Sequence, residues 1–152
     1  MRLILIRHGE ADPDRTGIDS QRALTERGHL QAQQTANFLK EQGIVPDLFV
    51  VSPYLRANQT LSHIQAVFPD VATETYANIT PDDPAAPAFQ WLAQKNEQTI
   101  VVVCHMNIIA YIASLMTEDA PEGFELAEAR VYDHVAMMVG LSNEMQRFVP
   151  TI

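Results

Sequence analysis

The chain has 152 residues, 47% hydrophobic and 19% charged, the profile of one globular domain over residues 1–152. A net charge of −9 and a pI near 4.8 exclude nucleic acid and anionic membranes as expected partners, yet they allow a small cationic pocket. A single cysteine, Cys104, excludes a disulfide framework within the chain; with no membrane-length apolar run and no secretory leader, the expected location is the cytoplasm.

Residues 3–6 (LILI) read as a short strand buried on both faces, which stops at Arg7, His8 and Gly9. Residues 24–43 follow as a predicted helix, with Thr25 as N-cap, Glu26 in the first turn and Gly43 at the stop. Ala32, Ala36 and Leu39 recur at helical spacing, and Gln31, Gln33 and Gln34 are expected to face water. Residues 48–51 form a second strand. Ser52 as N-cap and Pro53 as first helical residue start the next helix, with Arg56 in its first turn and Ala57, Leu61, Ile64 and Phe68 along one stripe.

A helix is expected near residues 85–95, around Trp91 and Leu92. Residues 100–103 are the most apolar strand and close on Cys104 and His105. Asn107 is expected to cap a helix whose Ile108, Ile109, Ile112 and Leu115 turn inward. The tail reads as two strands joined around residues 140–143, adding antiparallel pairing at an edge. This succession predicts a single α/β domain of three α/β/α layers around a mainly parallel sheet with right-handed crossovers. Ligands of such sheets bind beyond the carboxyl ends of the strands, where Arg7, His8, Arg56 and His105 all fall.

Two guanidinium and two imidazole groups suit a phosphoryl group. Arginine offers a planar fork of donors to phosphate oxygens, and its charge answers the negative charge of the transition state. Imidazole can attack phosphorus if one ring nitrogen is unprotonated, and neighbouring arginines disfavour its cationic form. His8 is the natural nucleophile, with His105 donating to a phosphate oxygen. Cys104 reads as a small core residue. His29, His63 and His134 lack supporting context and are expected at the surface or partly packed. No close histidine pair such as H-x-x-x-H points to a metal.

With these residues assembled, the sequence resembles the histidine phosphatase, or phosphoglycerate-mutase-like, superfamily. The resemblance rests on RHGEA (7–11), SPYLRANQT (52–60) and His105 at a strand end. The short length and SQRALTERG (20–28) are similar to the compact SixA-type phosphohistidine phosphatases. The resemblance implies His8 as nucleophile, Arg7 and Arg56 as phosphoryl ligands, His105 in support, and no metal or other cofactor. Arg22, Gly9 and Asn78 are the expected substrate contacts. Asn78 stands where larger relatives carry a glutamate proton donor, and an amide cannot serve as that acid. An ester must expel an alkoxide, whereas a phosphohistidine expels an imidazole nitrogen and needs less acid assistance.

The expected function is therefore a metal-independent phosphatase acting on phosphohistidine in a signalling or phosphorelay protein. One alternative is a phosphatase for small esters such as sugar phosphates, with Asp82, Asp83 or Glu10 as acid. Another is a phosphate-binding module without turnover.

Overall fold

The computed structural model describes residues 1–13 and 17–152. Among these residues the chain forms one six-stranded sheet and four α-helices, with a 3-10 turn at Asp19–Gln21. The strands are β1 (Arg2–Arg7), β2 (Leu48–Val51), β3 (Ala72–Thr75), β4 (Thr99–Cys104), β5 (Ala129–His134) and β6 (Ser142–Phe148). The helices are α1 (Glu26–Glu41), α2 (Leu55–Val67), α3 (Ala85–Ala93) and α4 (Ile108–Thr117). The sheet order is β3-β2-β4-β1-β5-β6; β1 to β4 pair in parallel, and β5 and β6 add the antiparallel edge.

The continuous apolar runs of β1, β2 and β4 follow from burial on both faces. Leu3, Leu5, Leu48, Val50, Ile100 and Val102 pack on one face with Phe89 and Leu92 of α3 and Ile109 and Ile112 of α4. Ile4, Ile6, Phe49, Val51, Val101 and Val103 pack on the other with Ala36 and Leu39 of α1 and Leu61 and Ile64 of α2. Each of these Leu, Ile, Val and Phe side chains contributes about 1.5–3 kcal/mol by leaving water. No helix among the described residues is long and apolar enough to cross a membrane.

Several sequence expectations are corrected. β3 was not anticipated, because its Ala-Thr-Glu-Thr sequence lies on an edge, largely exposed, and has no apolar run to betray it. Gln31 is buried rather than in water, since its Oε1 accepts the backbone N–H of Glu10 at 2.8 Å. Helix α2 begins at Leu55, after Tyr54, rather than at Pro53. Asn107 precedes α4 in helical conformation and makes no side-chain cap. Leu115 and Phe68 are only partly buried, and His134 is buried on β5. Thr25 does cap α1, accepting from the Gly28 N–H at 3.0 Å, and Gly43 takes a left-handed φ of 68° just past its end.

Strand register delivers the site. Arg7 pairs with Cys104 and Val51 with Val103, so His8 and His105 leave adjacent strands at one level and Ser52 leaves β2 one residue below it. The His8 N–H donates to the Cys104 carbonyl at 3.1 Å, and the Ser52 N–H to that of Val103 at 3.1 Å, extending the ladder by one step. The turn after β1 then runs against the first turn of α1. A Cβ on Gly9 would lie 2.6 Å from the Gly28 carbonyl oxygen, and one on Gly28 only 2.1 Å from the Glu10 carbonyl oxygen. Both contacts are to backbone, which cannot rotate away.

Gly28→Ala should therefore force α1 off the β1 turn and cost about 1–3 kcal/mol. Thermal unfolding followed by circular dichroism should register this as a fall of several degrees in Tm, roughly 2–4 °C per kcal/mol at this size. An unchanged Tm would contradict the close approach.

Candidate active site

His8 sits at the carboxyl end of β1, 8% exposed. Its Nδ1 lies 2.7 Å from the Gly9 carbonyl oxygen. A carbonyl oxygen only accepts, so Nδ1 carries the proton and Nε2 the lone pair. The Arg56 Nε–H donates to that same Nε2 at 3.3 Å. The two contacts agree on one tautomer. Burial holds the His8 pKa down to about 4; the Gly9 carbonyl opposes this, and the charges of Arg56, Arg7 and Arg22, each a smaller effect, add to the lowering.

His105 follows β4, fully buried, its ring centroid 5.1 Å from that of His8. Its Nε2 is 2.7 Å from the Ser52 hydroxyl, which also accepts the Tyr54 N–H at 3.2 Å. In the tautomer in which the Ser52 hydroxyl donates to Nε2, the imidazole proton resides on Nδ1, a buried atom with no hydrogen-bond partner among the described residues. Burial, followed by the neighbouring His8 and Arg56, pushes the His105 pKa down to about 3. The ring of Tyr54 stands edge-on to His105 at 5.0 Å, and the Arg56 guanidinium lies 5.1 Å from the same tyrosine ring.

Arg7 donates from Nη1 to the Phe124 carbonyl at 2.8 Å, while its buried Nε has no hydrogen-bond partner among the described residues. Burial lowers its pKa, with Glu125 opposing. Arg56 is 4% exposed and donates from Nη1 to the Asp19 carbonyl at 2.8 Å and from Nη2 to the Asp19 carboxylate at 3.1 Å. Arg22 reaches the other Asp19 oxygen at 3.1 Å and the Asp12 carbonyl at 2.6 Å. Although partial burial alone would raise the Asp19 pKa, hydrogen bonds from Arg22 and Arg56 hold it below the usual carboxylate range. Asp19 is thus an ionised strap between two arginines.

The surrounding motif residues have local structural tasks. Thr60 accepts the Gly9 N–H at 3.0 Å and donates to the Arg56 carbonyl at 2.8 Å, tying α2 to the His8 turn. Gln59 accepts the Leu24 N–H at 2.7 Å, and Ala57, on α2 itself, is fully buried. Glu10 accepts from the Thr25 hydroxyl at 2.9 Å.

The structure therefore gathers Arg7, His8, Gly9, Arg56 and His105, and links Arg22 to them through Asp19. Asn78 is apart from this network. It is exposed in the turn after β3 and makes no hydrogen bond to the cluster among the described residues. Asp83 is occupied by the Thr80 N–H and hydroxyl, at 2.8 and 2.6 Å, and Asp82 is exposed. Sequence reasoning missed Asp19, whose signal was its place three residues before Arg22. It also missed the His105 contact of Ser52 and the Phe124 carbonyl. The last has no local sequence signal, because 117 positions separate it from Arg7.

Comparison with known proteins identifies the family. The model of the histidine phosphatase superfamily (branch 1) matches residues 3–80. The phosphohistidine phosphatase SixA of Escherichia coli (strain K12) is 31% identical over 129 residues, covering 82% of this chain and 80% of that protein. The chain belongs to the histidine phosphatase superfamily. Among solved structures, the protein histidine phosphatase SixA complexed with tungstate is similar at a TM-score of 0.88 and 24% identity, covering 98% of this chain and 97% of that one. The putative phosphohistidine phosphatase SixA from Agrobacterium tumefaciens gives 0.86 at 22% identity, with 98% and 97% covered. A phosphoserine phosphatase from Entamoeba histolytica shares the fold at 0.73 and 18% identity, with 99% and 98% covered.

Both imidazoles should be neutral across the physiological range. Their folded pKa values, about 4 and about 3, lie below the ordinary 6.5, so the unfolded chain takes up these protons first. The stability they contribute is complete above the ordinary pKa and is lost as pH falls through the interval below it. In a histidine ring-proton NMR titration, the His8 and His105 resonances should stay at their neutral positions from about pH 8 to about pH 6. A midpoint near 6.5 for either ring would contradict the burial and arginine effects described.

Proposed function

We propose that the protein is a metal-independent phosphohistidine phosphatase of the cytoplasm, a single catalytic domain whose substrate is a phosphorylated signalling or phosphorelay protein. The observation that carries the reading is the His8 Nε2 lone pair, exposed by the Gly9 hydrogen bond and set against two arginines. Attack by Nε2 on phosphorus forms a P–N bond to His8 and breaks the P–N bond of the substrate, whose imidazole nitrogen regains a proton from water. Water then attacks the phosphoryl group on His8, the new P–N bond breaks, and inorganic phosphate leaves. Arg56 turns its donors from Nε2 to the phosphoryl oxygens as substrate arrives. Arg7 supplies its unpartnered Nε–H, and His105 its Nδ1–H, to the same oxygens. Gly9 lets the backbone come close, and Arg22 neutralises charge at the rim. Asn78, exposed in the turn after β3, is assigned as a substrate contact and not as an acid.

Two observations favour phosphohistidine over an ester. The carboxylate joined to the cluster, Asp19, is kept ionised by Arg22 and Arg56 and is no proton donor. A relative 31% identical to this chain and matching 82% of it is a phosphohistidine phosphatase. Exchange of one P–N bond for another needs little acid help, whereas an alkoxide leaves poorly without a proton.

Wild-type protein should release phosphate from a phosphohistidine protein and only slowly from a panel of sugar phosphates. His8→Ala should lose roughly 10^4-fold or more in kcat while retaining the wild-type circular dichroism spectrum. Full activity of the variant on phosphohistidine would contradict the assignment of His8. Preference for the sugar phosphates would move the substrate to small esters.

A further inference from the structure

The segment at residues 122–125 has neither helix nor strand, yet its Phe124 carbonyl fixes Arg7. What holds it is a buried ion pair on the last part of the chain. The Arg130 and Glu128 side chains are 3% and 2% exposed, and Arg130 Nε donates to Glu128. The other two arms of Arg130 donate to the carbonyls of Glu122 at 3.3 Å and Gly123 at 2.8 Å. Its guanidinium lies 3.8 Å from the centroid of the Phe124 ring. The second Glu128 oxygen accepts the Glu125 N–H at 2.8 Å. Four consecutive residues are thereby attached to one pair of charges. From the far side, the Phe124 N–H meets the Met106 sulfur at 3.3 Å, one residue past His105.

A buried ion pair gains little net stability, because desolvation of both charges offsets their attraction. What such a pair does supply is a fixed geometry. The planar fork of arginine holds two carbonyls and a ring at once, which lysine cannot do. We propose that the Arg130–Glu128 pair positions Arg7: it pins residues 122–125 so that the Phe124 carbonyl captures Nη1 and leaves Nε free for a phosphoryl oxygen. Arg130 and Glu128 are positioning residues; they touch no substrate. The proposal rests on the reading of Arg7 as an oxyanion ligand, and it extends the site into the tail beyond residue 120.

The test is a double-mutant cycle on the full chain, with tungstate as the probe, read by calorimetry alongside kcat/KM on phosphohistidine and Tm. Arg130→Lys and Glu128→Gln are made singly and each again on Arg7→Ala. Each single variant should weaken tungstate binding and kcat/KM by about 10- to 100-fold, the scale of a displaced binding group. On Arg7→Ala the same changes should cost less than about twofold, because the group they position is gone. Their Tm change should be equal in both backgrounds, which separates positioning from mere stability. Should Arg130→Lys fail to fold, Glu128→Gln decides alone, since it keeps the side-chain shape and the Glu125 contact. A folded variant with wild-type tungstate affinity, or losses that add in full on Arg7→Ala, would overturn the proposal. Wild-type protein that binds tungstate without hydrolysing phosphohistidine would instead remove the functional reading and leave the cycle interpretable.

Discussion

The hydrogen bond from His8 Nδ1 to the carbonyl of its neighbour Gly9, 2.7 Å long, constrains everything else in the site. It fixes which nitrogen keeps the proton, and hence which one can attack. It also needs a turn that bends the backbone sharply under the imidazole. That turn is possible because Gly9 and Gly28 lack side chains, so that the first turn of α1 can close against it. Thr60 on α2 then ties the Gly9 amide from the other side. The local bond is small, but it is built on contacts from β1, α1 and α2 together.

Around this point the sheet acts as an alignment device. Parallel pairing of β1 and β4 puts His8 and His105 at one level, and pairing of β2 with β4 puts Ser52 one residue below them. Arg7 and Arg56 then stand beside the two buried imidazoles. The result is electrostatic as much as geometric: burial, with the arginines adding to it, disfavours protonation of His8 and so keeps an imidazole lone pair at neutral pH. The net charge of −9 is compatible with this, because carboxylates such as Glu122 and Asp82 lie exposed outside the site. Asp19, by contrast, enters the cluster and binds two arginines at once.

The legible part of the sequence was the part in which physics is local. A run such as VVVC ending on histidine declares a buried strand and its rim in adjacent letters. Arg56 was placed by the first turn of α2. Where one residue served two elements, the letters misled. Ser52 looked like a helix cap, but its hydroxyl is also engaged with His105, and the helix starts later. Gln31 looked like a solvated glutamine, but it satisfies the Glu10 amide inside the α1 contact. β3 was invisible because an edge strand needs partners on one side only and no apolar run. The Phe124 carbonyl offered nothing to read, since a backbone oxygen has no residue type.

Family membership and site geometry meet at a single atom, Nε2 of His8. Its state during turnover can be observed directly. Rapid-quench trapping of 15N-histidine-labelled enzyme with a phosphohistidine substrate, followed by 31P–15N NMR at alkaline pH, identifies the nitrogen that carries phosphorus. Phosphoryl on Nε2 of His8 is the expected result. Phosphoryl on Nδ1 of His8, on His105, or on no histidine at all would contradict the tautomer on which the site is built.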